Sequence, residues 1–138
     1  MASRTAGYSS TPLAKKLGIG AGLCVWAISP PADYRTLLAP LPAGATFVTK
    51  LSARVDVIHL FVDNAAALAN RLPSLRRKMR PDAALWVSWP KKASKVPTDV
   101  TEDTIRAVAL PIGLVDVKVC AVSEVWSGLK LVIRKELR

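Results

Sequence analysis

The stretch Val55-Asp56-Val57-Ile58-His59-Leu60-Phe61-Val62 has apolar residues on both of its alternating faces. Ile58, Leu60 and Val62 fall on one side, Val57 and Phe61 on the other. A strand that is apolar on both sides must be covered on both sides, which predicts a central parallel strand between layers of helix. Downstream, Asp63 or Asn64 can cap a helix whose Leu68, Leu72, Leu75 and Met79 recur at helical spacing. Pro73 interrupts that pattern and predicts a kink or break near Leu72. After the Pro81-Asp82 turn, Ala84 to Trp89 reads as another buried strand, stopped by Pro90-Lys91-Lys92 and followed by a polar loop to Pro97. Thr98, Asp99 or Thr101 caps a helix to about Leu110, with Glu102 and Asp103 favouring its dipole. Val115 to Val122 and Leu129 to Lys135 are strands whose short link, Ser123 to Gly128, suits an antiparallel hairpin.

Upstream the alternation continues. Leu13 to Leu17 is a helical turn, and Gly18, Gly20 and Gly22 lead into a strand from Leu23 to Ile28. Ser29-Pro30-Pro31 breaks it, Ala32 to Ala39 forms a short helix, and Thr46-Phe47-Val48 is a short second strand. The predicted fold is α/β: a three-layer, doubly wound, mostly parallel sheet of about six strands with a C-terminal antiparallel hairpin. Residues 1–12 read as a mobile tail and 13–138 as one Rossmann-like domain.

Composition narrows the function classes. The 138 residues are 51% apolar, which fits a globular core and not a disordered chain. No apolar run reaches 18 residues, and the N-terminus lacks a secretory apolar segment, so the expectation is a cytoplasmic protein without a membrane partner. Twenty Lys and Arg against 10 Asp and Glu give a formal charge of +10, which favours an anionic small molecule or a nucleic acid as partner. Cys24 and Cys120 lie in apolar strand-like runs without metal spacing and read as small buried hydrophobes.

The element order resembles a reduced class I methyltransferase, the Rossmann-like fold that binds S-adenosylmethionine. Leu17-Gly18-Ile19 through Ile28 is similar to its first strand, Val55-Asp56-Val57-Ile58 to its fourth, and Leu75 to Asp82 with Leu85-Trp86-Val87-Ser88 to its helix, turn and fifth strand. The motifs Gly7-Tyr8-Ser9, L-A-K-K-L-G, W-V-S-W-P-K-K-A-S, P-T-D-V-T-E-D, L-P-I-G-L-V-D-V-K-V-C-A-V and W-S-G-L-K-L-V-I-R resemble a small bacterial family of unknown function. That resemblance covers nearly the whole chain and implies no reaction.

The methyltransferase resemblance implies a glycine-rich turn after the first strand and a carboxylate after the second. This chain has Ser29-Pro30-Pro31 at the first place and Val48-Thr49-Lys50 at the second. A proline offers no N–H, and a lysine only donates. Ser29-Pro30-Pro31-Ala32-Asp33-Tyr34 resembles the Pro-Pro-aromatic motif of amino-group methyltransferases, but that motif follows the fourth strand, where this chain has Asp63-Asn64. A rigid turn out of the first strand is the simpler reading. His59, the single histidine, sits mid-strand and reads as a satisfied core residue, and no phosphate loop or nucleophile elbow is present.

In a parallel sheet, ligands sit beyond the C-terminal ends of the strands. Ser29, Tyr34, Lys50, Asp63, Asn64, Trp89, Lys91, Lys92, Glu124, Trp126 and Ser127 are therefore expected around one crevice. Tryptophan faces there can stack on a base while lysines neutralise a phosphate. A second basic group, Arg71, Arg76, Arg77, Lys78 and Arg80, could track a nucleic-acid backbone or simply complement a helix C-terminus. The sequence favours a non-catalytic domain binding an anionic ligand or macromolecule at the Trp89–Lys92 edge, with no catalytic residue, metal or cofactor assigned. The alternatives are a divergent S-adenosylmethionine methyltransferase-like enzyme and a basic RNA- or DNA-binding protein.

Overall fold

The computed structural model describes residues 11–138, so most of the N-terminal segment read as a tail lies outside the described residues. Six strands form one sheet in the order β2-β1-β3-β4-β6-β5. They are β1 (Cys24–Ile28), β2 (Thr46–Val48), β3 (Val57–Phe61), β4 (Ala84–Pro90), β5 (Leu114–Ala121) and β6 (Trp126–Ile133). The first four are parallel, β6 runs antiparallel to both β4 and β5, and β5 is an edge. The third strand is central and every residue in it is buried, as its two apolar faces require.

Two helices cover each face. On one lie α1 (Leu13–Lys16) and α2 (Tyr34–Leu38), whose Leu13, Tyr34 and Leu38, with Leu17 just past α1, pack with Val57, Phe61 and Trp86. On the other lie α3 (Ala65–Lys78) and α4 (Glu102–Ala109), whose Leu68, Leu72, Leu75 and Ile105 pack with Ile58, Leu60, Leu85 and Val87. Burying these side chains at roughly 1.5–3 kcal/mol apiece is the main drive holding the layers together. A hydrogen bond from Trp86 Nε1 to the Leu17 carbonyl, 2.9 Å, ties the end of α1 to the sheet.

Several element bounds shift by a residue or two, and three features differ further from expectation. The third helix runs unbroken through Pro73. The proline removes one N–H, but the Ala69 carbonyl it would have met is on an exposed residue, where water can take its place, while Leu72 and Leu75 hold their turns in the core. The hairpin link is shorter than predicted, because Trp126, Ser127 and Gly128 already pair with Pro90, Trp89 and Ser88. Pro90, expected to stop the strand, is its last paired residue.

Along the outer edge, β5 carries a register shift between Asp116 and Lys118. Val117 and Val119 are exposed there, and Lys118 Nζ reaches the Lys16 carbonyl at 3.4 Å. At the opposite, N-terminal end of the central strands, Asp56 accepts from the Cys24 N–H at 2.7 Å and from Arg80 Nη2 at 2.6 Å. Gly18, Gly20 and Gly22 precede β1 and so lie at that same end, away from the strand C-termini.

Candidate functional site

The four parallel strands end on one edge, and the β5–β6 turn reaches it too, because β5 runs the same way as β4. Within that edge the structure separates the predicted residues into two groups. Between the ends of β1 and β2 lies a cavity of about 310 Å³. It is lined by Ala27 of β1, by Pro30, Pro31 and Ala32 of the turn, by Tyr34 and Arg35 of α2, and by Phe47, Val48 and Thr49 at the end of β2. Arg35 lies over the Phe47 ring with its guanidinium carbon 3.8 Å from the centroid, a cation–π contact that holds the charge beside the crevice.

Ser29 makes the turn that forms this wall. Its φ of 55° is left-handed, a conformation glycine adopts without the Cβ penalty. The chain thus keeps the sharp bend at the end of β1 without a glycine. Pro30 and Pro31 follow it and bring ring surface in place of N–H donors.

The second group surrounds the ends of β3, β4 and the hairpin, and here the expected aromatic platform is largely core. Trp89 is only 8% exposed and packs with the α3/α4 face. This corrects its reading as a ligand-facing ring: strand alternation sends Leu85, Val87 and Trp89 to one face, and that face is covered. Trp126 is half-buried and meets Phe61 edge to face at 5.1 Å. Ser127 is half-buried in β6, opposite Trp89. The Lys91 N–H donates to the Val125 carbonyl at 2.7 Å, locking the strand end to the hairpin. Burial lowers the Lys91 pKa, with the charge of Lys16 adding to the effect and that of Glu124 opposing it. Lys92 and Lys50 are exposed.

Asn64 is the cap of α3, its side-chain oxygen accepting from the Ala67 N–H at 2.8 Å, and its amide donates to Asp63 at 3.0 Å. Asp99 accepts from the Ala65 N–H at 2.7 Å, so the helix start is satisfied by the chain itself. Of the basic group on and after α3, Arg76 donates to the Ile112 carbonyl and Arg80 pairs with Asp56 and Asp82, both structural roles. Arg71, Arg77 and Lys78 are exposed and make no ion pair among the described residues.

His59 is fully buried, with Nδ1 2.8 Å from the Tyr34 hydroxyl and Nε2 2.7 Å from Ser88 Oγ. Burial lowers its pKa to about 3, so it is neutral at physiological pH. Burial likewise pushes the Tyr34 phenol up, against the opposing charge of Arg35, and keeps it a proton-bearing hydroxyl. Tyr34, expected at the rim, is itself 3% exposed, yet it remains part of the crevice wall. Arg35 and Phe47 carried no sequence signal, since only the pairing of β1 with β2 brings them to one cavity.

This is a methyltransferase-like Rossmann domain. It superposes on a Sulfolobus solfataricus protein ascribed to the type 11 methyltransferases, with a TM-score of 0.61, 12% identity and coverage of 96% of this chain and 95% of that one. The mitomycin 7-O-methyltransferase MmcR matches at 0.61 and 11% identity, over 82% of this chain but 49% of its own. Aeropyrum pernix fibrillarin, solved with natively bound S-adenosyl-L-methionine, matches at 0.56 and 10% identity, covering 87% of this chain and 73% of that one. At such identities the likeness is one of fold. No family model matches the chain, and no curated protein matches it in sequence.

The fold raises the question of S-adenosylmethionine, and the residues at the crevice answer it in part. An orthodox seat needs free N–H groups after β1 and a carboxylate after β2 for the ribose hydroxyls. Here two of the residues after β1 are prolines, which offer no N–H, and no Asp or Glu is among the residues lining the cavity. What it offers is a guanidinium, a threonine side chain, a tyrosine and apolar ring surface. That set does not fit the cofactor in its usual posture, and it suits a ligand with a flat part and an anionic oxygen group.

Proposed function

We propose that this chain is a divergent methyltransferase-like protein whose β1–β2 crevice binds an adenosyl or related nucleoside ligand through that ligand's anionic group. The observation that supports this reading is the crevice itself: a cavity at the strand C-termini, in a fold shared with methyltransferases, with Arg35 held beside it by Phe47. Ligand sites in open α/β sheets collect at this edge. Arg35 serves the carboxylate of an amino-acid moiety or a phosphate equally well, since its planar fork matches both. The donor set differs from that of an orthodox cofactor seat, so recognition of S-adenosylmethionine would lean on Arg35 and not on the turn.

Titration calorimetry with S-adenosylmethionine, S-adenosylhomocysteine and AMP tests this reading. At least one should bind, and Arg35→Ala should weaken it by about tenfold or more, the loss expected for a hydrogen bond to a charged group. Absence of heat with all three into the millimolar range, or affinity unchanged by Arg35→Ala, would overturn the proposal.

A further inference from the structure

Tyr34, His59 and Ser88 form a line of buried polar groups through the α1/α2 face of the sheet, and none is more than 3% exposed. The neutral imidazole carries one N–H and each hydroxyl one O–H. Three protons therefore serve two hydrogen bonds, and one is left over at one end of the line. Neither hydroxyl has another hydrogen-bond partner among the described residues.

Two arrangements satisfy the geometry. With the proton on Nε2, His59 donates to Ser88 and Tyr34 donates to Nδ1. The Ser88 proton then has no acceptor among the described residues, and Ser88 is fully buried. With the proton on Nδ1, Ser88 donates to Nε2 and His59 donates to Tyr34. The spare proton then belongs to Tyr34, a residue of the crevice wall, so of the two ends this is the one beside a cavity that water or a ligand can enter. A buried donor without an acceptor bears its full desolvation cost, so the second arrangement wins.

We propose that His59 is held as the Nδ1–H tautomer by Ser88 and that Tyr34 thereby presents its hydroxyl as a hydrogen-bond donor to the ligand's anionic oxygen, beside Arg35. The ligand half of this inference rests on the crevice reading above; the tautomer half does not. Ser88 and His59 act as positioning residues, fixing which way the Tyr34 proton points.

His59 is the only histidine in the sequence, so a long-range proton–nitrogen NMR spectrum of the free protein reports its tautomer without overlap. The expected result is protonation at Nδ1; protonation at Nε2 overturns the inference whatever binds. Tyr34→Phe, which keeps the ring, should then weaken binding about tenfold for whichever of S-adenosylhomocysteine and AMP the unmodified protein binds. An effect on the first alone identifies a carboxylate as the accepting group, and on AMP alone a phosphate. Unchanged affinity overturns the ligand contact. If neither compound binds the unmodified protein, the crevice reading and the ligand contact fall together, while an Nδ1–H spectrum still upholds the relay's direction.

Discussion

Trp89→Ala separates a core role for this indole from a ligand platform. The side chain is 8% exposed and belongs to the cluster under α3 and α4. Truncating a buried aromatic to alanine costs about 3–5 kcal/mol. Trp89 is next to last in β4, where water can enter part of the void, so the lower end, ~3 kcal/mol, applies. Against a whole-domain stability of roughly 5–15 kcal/mol, this is a large fraction. With a urea slope of about 2 kcal/mol per molar, the midpoint should fall by about 1.5 M. Equilibrium unfolding followed by far-ultraviolet circular dichroism measures it without relying on the fluorophore removed. Nucleoside affinity, by contrast, should hold in the folded variant, because Trp89 does not line the β1–β2 crevice. A loss below about 1 kcal/mol together with abolished binding would refute the reasoning and return Trp89 to the ligand.

Two further predictions address the same face of the sheet. The unfolded imidazole titrates near 6.5, whereas burial lowers folded His59 to about 3, so on acidification the unfolded chain takes up the proton first. Stability should therefore be level above neutrality and decline from about pH 6.5 towards 3, by up to ~1.4 kcal/mol per pH unit, and His59→Phe should remove the part of that slope above about pH 5, before the carboxylates take up protons. Burial works to raise the Asp56 pKa, but the Cys24 N–H and Arg80 outweigh it, so its own loss begins as the pH falls towards the unfolded value of 3.8 and adds to the acid end of this window. A slope through this window in His59→Phe equal to that of the unmodified protein would contradict the assignment. Gly128→Ala would set a Cβ 3.0 Å from Val122 Cγ2 and 3.2 Å from Trp86 Cε3, and Trp86 is anchored through Leu17 and has little room to yield. Overpacking of this kind should cost about 2 kcal/mol and lower Tm by roughly 8 °C in a calorimetric scan, and an unchanged Tm would show that the pocket relaxes freely.

Much of the fold is legible in the sequence because its signals are local. Val57 to Phe61 reveals a central strand by being apolar on both faces, Thr46 to Val48 matches β2 residue for residue, and Thr101 caps α4 as its position suggests. Pro73 misleads because the core contacts of Leu72 and Leu75 outweigh the loss of one exposed hydrogen bond. The site is less legible. Trp89 looks like a ligand residue beside two lysines, but its direction depends on which face of β4 is covered, a tertiary fact. Arg35 and Phe47 carry no motif and meet only through the parallel pairing of two distant strands. His59 is the reverse case: one histidine in an apolar run does read as a satisfied core residue, and the identity of its partners is what the sequence hides.

The outer strand β5 has a consequence for the chain in company. Over its eight residues it is an edge without a second neighbouring strand among the described residues, with Val117 and Val119 exposed beside it, the surface on which a neighbouring copy could add a strand. The shift between Asp116 and Lys118 breaks the even spacing such pairing needs, and Lys118 places a cation in the middle of the row. Self-templated aggregation is thereby discouraged at the longest free edge of the sheet, by one irregular residue and one charge.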